Sequence, residues 1–158
     1  MAEIGFYHLT RTPLPEALAR LLDRTLQSGQ RALVLCADET ALKQLDAALW
    51  ACPEPVWLPH GTAADGDPDL QPVWLSTTPD PENGARFLFL VDGAALEGPG
   101  VFTRIFETPG TFARIFDVFD GNDPARVEAA RERWRAARTG GHTLTYWKQG
   151  ARGWEKGA

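Results

Sequence analysis

Two rhythms of apolar residues alternate along the first third of the chain. Residues 3–9, Glu-Ile-Gly-Phe-Tyr-His-Leu, read as an opening strand; Pro13 to Gly29 then carries Leu14, Ala17, Leu18, Leu21, Leu22 and Leu26 at helical spacing. Thr12 suits the N-cap of that helix, Pro13 its first position and Gly29 its stop. The run 31–37, Arg-Ala-Leu-Val-Leu-Cys-Ala, is continuously apolar over a strand's length, the pattern of a strand covered on both faces. A second helix follows, capped by Asp38 or Thr40, with Leu42, Leu45, Ala48 and Leu49 on one side, ending near Ala51. Strand, helix, strand, helix predicts an α/β fold with a parallel sheet.

Between residues 52 and 86 the rhythm breaks. Pro53, Pro55, Pro59, Pro68, Pro72, Pro79 and Pro81 separate short apolar pieces at 56–58 and 72–76, and 63–69 reads as an exposed acidic tip. The run 86–91, Arg-Phe-Leu-Phe-Leu-Val, has the length and composition of another central strand, and 113–119 reads as a further one. Segments 102–107 and 112–117 are near-duplicates, too short and too few for a solenoid. Asp123-Pro124 opens the clearest helix, which closes near Thr139-Gly140-Gly141. The expected architecture is a single three-layer α/β/α domain over 1–148 with a mostly parallel, mixed sheet, Rossmann-like without a nucleotide site, followed by a flexible tail at 149–158.

Composition fits that picture: 158 residues, 44% apolar and 23% charged, suffice for one core without staples. Cys36 and Cys52 have no CxxC or neighbouring histidine, which argues against a disulfide framework or zinc site and fits the cytoplasm. No stretch approaches the length of a membrane span, and the N-terminus has no export pattern. Charge changes the picture more. Residues 123–158 hold eight Arg or Lys against four Asp or Glu, net +4; residues 1–122 hold eight against seventeen, net −9; the sum is the net −5 of the chain. A basic end on an acidic body suits an acidic partner, and equally a solvated helix face.

Catalytic patterns are missing. The turn after the first strand, His-Leu-Thr-Arg-Thr-Pro-Leu-Pro, has no glycine to let backbone approach a pyrophosphate, and no phosphate-loop motif occurs. His8, His60 and His142 are scattered, with no clustered carboxylates, and no cofactor or metal is expected. The helix from Pro124 to Arg138 is more informative. Val127, Ala130, Trp134 and Ala137 form one stripe, with Arg131, Arg135 and Arg138 beside it. Either Trp134 is core with a solubilising arginine edge, or an apolar notch rimmed by guanidinium groups accepts a peptide ending in an aromatic side chain and free carboxylate. Trp50 and Trp57 flank a proline-rich loop, as interface aromatics or as a lid on the core.

Five segments, 6–9, 29–40, 45–50, 56–60 and 130–147, together resemble in order and spacing the chi subunit family of DNA polymerase III. The resemblance implies a non-enzymatic adaptor of the clamp loader that forms a heterodimer with the psi subunit and binds the acidic C-terminal tail of single-stranded DNA-binding protein, touching nucleic acid only indirectly. Carried over residue by residue, the tail-binding positions are Arg131, Trp134 and Arg135, with Arg138 on the same face, and the psi-facing ones Trp50 and Trp57. A further basic position of the family appears here as Val127, beside Arg126. Two competing readings are direct single-stranded DNA binding by the arginines and Trp134, and a divergent nucleotide-binding enzyme.

Overall fold

The computed structural model describes residues 3–54, 58–91 and 112–157. In chain order these form β1 (Glu3–Leu9), α1 (Leu14–Gln27), β2 (Ala32–Leu35), α2 (Glu39–Ala51), a 3-10 turn (Pro68–Leu70), β3 (Val73–Ser76), β4 (Phe87–Val91), β5 (Arg114–Asp120), α3 (Pro124–Thr139), β6 (Thr143–Gly150) and β7 (Gly153–Gly157). The strands make one seven-stranded sheet in the order β3-β2-β4-β5-β1-β6-β7. Every pairing is parallel except β6 with β7. This is the expected mixed α/β sheet with helices on both faces.

Alternation along each strand sorts side chains to two cores. Tyr7, Leu9, Val34, Val73, Leu75, Phe89, Phe116 and Val118 meet Leu18 and Leu22 of α1 and Leu42, Leu45 and Leu49 of α2. On the other face Ile4, Phe6, Leu33, Leu35, Trp74, Leu88, Leu90, Ile115 and Phe119 pack with Ala130 and Ala137 of α3. The four residues of β2 are all buried, which explains their unbroken apolar run.

Local signals place most helix ends. Asp38 Oδ1 accepts the Ala41 amide at 2.7 Å, and Asp123 Oδ1 accepts the Ala125 amide at 3.0 Å with Pro124 next in the first turn. Gly29, at φ +83, ends α1 in the left-handed region that glycine tolerates. The start of α1 differs from expectation. Pro13, not Thr12, is the N-cap, without a side-chain cap. Residues 149–157 also differ. Instead of a loose tail they complete a β6–β7 hairpin, because Trp154 packs edge-on against Tyr7 at 5.2 Å and joins the core on the α1 face. The segment 102–107 and the start of the piece at 56–58 lie outside the described residues.

One buried ion pair ties α3 to the sheet. Asp117, mid-β5 and fully buried, receives Arg133 in a fork: Nε to Oδ2 at 2.6 Å and Nη2 to Oδ1 at 2.9 Å. Removing the cation strands a carboxylate in the interior, typically costing about 3–5 kcal/mol, whereas replacing both partners with apolar residues costs much less. Urea unfolding should therefore show Arg133→Ala destabilised by about 3 kcal/mol or more, and the double change Arg133→Met with Asp117→Leu more stable than the single one. A loss below about 1 kcal/mol in Arg133→Ala would show that the pair does not hold the helix.

Candidate functional site

The arginines of α3 divide across its apolar stripe. At about 100° per residue, Arg126 and Arg133 fall on one flank of Val127, Ala130, Trp134 and Ala137, while Arg131, Arg135 and Arg138 fall on the other. The first flank faces β5, where Arg133 meets Asp117. The second therefore faces β6, and the electrostatics agree: the Arg131 charge acts on both Tyr146 of β6 and His8 of β1. Arg131, Arg135 and Arg138 are exposed, and Trp134 is half-buried between them and the sheet. Its ring meets Phe6 edge-on at 5.1 Å and Tyr146 edge-on at 5.9 Å.

Two of these arginines already have weak partners. Arg131 lies 3.6 Å from Glu128 and Arg135 lies 3.2 Å from Glu132, each one turn back on the helix. Both pairs are exposed on both sides, so each contributes well under about 1 kcal/mol and yields to a better-placed carboxylate.

Across the seam, alternation along β6 puts Leu144, Tyr146 and Lys148 on the α3 face. The Tyr146 hydroxyl is hydrogen-bonded to His8 Nδ1. Burial lowers the His8 pKa, as do Lys148 and Arg131, against the opposing effect of the Gly121 backbone and Asp120. Burial raises the Tyr146 pKa, partly offset by Arg131. The sequence pointed to the helix but not to this strand wall, nor to Arg133. The alternation Leu-Thr-Tyr-Trp-Lys at 144–148 was the available signal for the wall.

In open α/β sheets ligands favour the point where neighbouring strands send their connections to opposite faces. Here that point lies between β1, which leads to α1, and β5, which leads to α3. The amides of Thr10, Arg11 and Thr12 converge there, but on Gln149 Oε1, at 3.0, 2.9 and 3.1 Å. The side chain also donates to the Thr12 hydroxyl, while Thr10 Oγ1 donates to the Gln149 carbonyl at 2.9 Å. The position a phosphate would take is filled from within the chain. Elsewhere, burial pushes the Cys36 thiol up to about 12, far from a reactive thiolate. Among the described residues no group of three His, Cys, Asp or Glu is arranged to hold a metal ion, and no helix is long and apolar enough to cross a membrane.

The second predicted surface is represented by Trp50, because Trp57 lies outside the described residues. Trp50, on the last turn of α2, is 56% exposed and lies over His60 with ring centroids 4.2 Å apart. The imidazole beneath is buried; Nδ1 donates to the Leu58 carbonyl at 2.7 Å and Nε2 lies 3.2 Å from Asp46 Oδ1 without hydrogen-bond alignment. At the next residue, Gly61, a Cβ would overlap the Gln71 side chain, and Gln71 follows Leu70, which is 74% exposed. Trp50 and Leu70 are the large apolar side chains that stand exposed among the described residues.

Residues 1–145 match the family described as DNA polymerase III chi subunit, HolC. The chain is 30% identical over 119 residues to the DNA polymerase III subunit chi of Escherichia coli strain K12, covering 75% of this chain and 74% of that one. It is 28% identical over 150 residues to the subunit chi of Pseudomonas aeruginosa, covering 91% and 94%. It is also 24% identical over 91 residues to a probable subunit chi of Rickettsia prowazekii, where the match spans 58% of this chain and 55% of that protein. With the family match running through β1, the helices and into β6, the chain belongs to the DNA polymerase III chi subunit family.

Proposed function

We propose that this chain is a non-catalytic adaptor of the DNA polymerase III clamp loader, acting in the cytoplasm. It binds the psi subunit through the surface around Trp50, with Trp57 contributing, and the acidic C-terminal tail of single-stranded DNA-binding protein through Arg131, Trp134, Arg135 and Arg138. The observation that carries the second half is the segregation of Arg131, Arg135 and Arg138 to one flank of α3 beside the half-buried Trp134. That arrangement offers an apolar wall for a terminal aromatic ring and forked cations for carboxylates. Direct binding of single-stranded DNA fits less well. Stacking requires an open aromatic face, whereas Trp134 is held between Phe6 and Tyr146 and the body beneath carries net negative charge. Support for the psi surface comes from Trp50, since large exposed aromatics are enriched among residues that dominate binding energy.

Titration with a peptide copying the acidic tail tests the first surface. Arg131→Glu or Arg135→Glu should each weaken binding by about 2–5 kcal/mol, enough to remove a micromolar complex, while thermal stability moves by about 0.5 kcal/mol or less. Wild-type binding should weaken as salt rises, because exposed charges are screened beyond about 8 Å at physiological ionic strength. Binding that persists in the double reversal, or that ignores salt, would move the site off α3.

The psi surface has its own test. Trp50→Ala should weaken the complex with psi by about 2 kcal/mol or more without altering affinity for the tail peptide. An unchanged psi affinity would exclude Trp50 from that interface.

A further inference from the structure

The seam between α3 and β6 has two walls, and only the helical one enters the reading above. On the strand wall Tyr146 and Lys148 point to the same side as Trp134 and Arg131, and Tyr146 is anchored from below by His8. His8 is fixed in turn. Its ring lies against Gly121, where any Cβ would overlap it, and against Phe119 at 5.2 Å. We propose that the strand wall completes recognition of the acidic peptide: Lys148 and the Tyr146 hydroxyl, gated by His8, bind a peptide carboxylate opposite Arg131. This rests on the tail-binding reading of α3 and adds to it a further cation and a hydroxyl donor on the opposite wall.

The gate follows from proton counting. Of the two ring nitrogens Nε2 is the nearer to Gly121, whose backbone favours the protonated imidazole, and we place the neutral ring's proton there. In the neutral ring Nδ1 is then an acceptor, so the Tyr146 hydroxyl gives its one proton to His8 and has none for a ligand. In the protonated ring Nδ1–H donates to the Tyr146 oxygen, and the hydroxyl proton is free for a carboxylate. Binding of a carboxylate at Tyr146 therefore favours uptake of one proton by His8.

The charged and titratable groups around His8 are Tyr146 and Lys148 on β6, Arg131 on α3, and Asp120 at the end of β5, with Asp117, opposite Phe6, and its partner Arg133 further back along the same strand. Glu155 on β7 stands opposite Lys148 in the hairpin register. In the free protein burial and the cations Lys148 and Arg131 hold His8 below its ordinary value, so the ring is neutral at pH 7.5. An arriving carboxylate opposes those cations and raises it. Affinity then grows as pH falls from the raised value of the complex toward the lowered value of the free protein, in a range where peptide carboxylates stay ionised.

The experiment is titration of the full chain with the acidic tail peptide at pH 7.5 and pH 5.5 at constant ionic strength. Wild type should bind several-fold tighter at pH 5.5. Tyr146→Phe, which keeps the packing against Trp134, should lose about tenfold at pH 5.5 and flatten the profile; exposed Lys148→Ala should weaken binding about fivefold or more. His8→Phe should flatten the pH profile, because the group that takes up the proton is gone. A buried aromatic with a merely structural role would not produce that result. Thermal melts of each variant report whether the domain is folded. If wild type binds and Arg131→Glu abolishes binding, yet Tyr146→Phe and Lys148→Ala stay within twofold with an unchanged pH profile, the strand wall plays no part. If wild type does not bind the peptide, or Arg131→Glu leaves binding intact, the reading of α3 fails and this inference with it.

Discussion

The fork between Arg133 and Asp117 sets where everything on the α3 face can be. A helix laid on a sheet usually finds its place through bulky side chains that interlock with the strands below. The fully buried contacts of α3 are Ala130 and Ala137, which let the helix come close but give it little to lock with. Val127 and Trp134 only partly fill the interface. A bidentate contact to a fully buried carboxylate supplies the missing constraint, since it fixes both the distance and the rotation of the helix at one residue. With Arg133 held toward β5, Arg131 and Arg138 must look toward β6 and solvent.

That rotation gives the same residue type two opposite uses within one turn. Arg133 is 11% exposed and bound at 2.6 Å, while Arg131 is 66% exposed with a partner at 3.6 Å. The first is structural because its carboxylate cannot be exchanged for water without a large desolvation cost. The second is available because its intrahelical glutamate competes poorly with any carboxylate delivered by a partner. A similar economy operates at the carboxyl ends of the strands. Three converging amides that could receive an anion are satisfied by Gln149, so the fold keeps its geometry at the switch point while that position is closed to phosphate. The same hydrogen bonds fasten the start of α1 to β6, which compensates for the absent side-chain cap at Pro13.

Local chemistry was legible in the sequence and long-range pairing was not. The apolar runs at 31–37 and 86–91 became β2 and β4, and Asp38 and Asp123 are the caps their positions suggested. The stripe of α3 was readable because periodicity requires only neighbours within two turns. The hairpin of β6 and β7 was hidden because its outer residues alternate with polar ones and its last strand contains Gly153, Glu155, Lys156 and Gly157. What holds it is Trp154 on Tyr7, a contact across almost the whole chain. Arg133 was unreadable for the same reason. In sequence it is one more arginine of a basic helix, and only Asp117 on another element distinguishes it from Arg131 and Arg135. Of these surfaces the arginine flank of α3 was readable, the exposure of Trp50 was one of two open readings, and the alternation at 144–148 marked a strand but not its pairing with His8, because His8 and Tyr146 are 138 positions apart.

The way the two faces of the sheet are filled bears on how two partners could be held at once. The core beneath α1 and α2 combines aliphatic side chains with the stacked rings of Tyr7, Phe116 and Phe89, and Trp50 projects from the end of α2 with its ring resting on His60. The core beneath α3 is separate, on the opposite side of β1, β5 and β4. A surface change at Arg131, paired with Glu128, and one at Trp50, stacked on His60, thus act on different layers with no shared side-chain partner among the described residues, the condition under which effects on stability and binding add. The two proposed contacts differ in chemistry as well as place. The α3 flank attracts charge over several ångströms and releases it when salt screens the field, whereas Trp50 contributes through apolar burial that salt weakens little. On the proposed reading, such a domain keeps one partner in place by apolar contact while exchanging the other through weak, reversible ion pairs, since the two surfaces belong to different layers of the sheet.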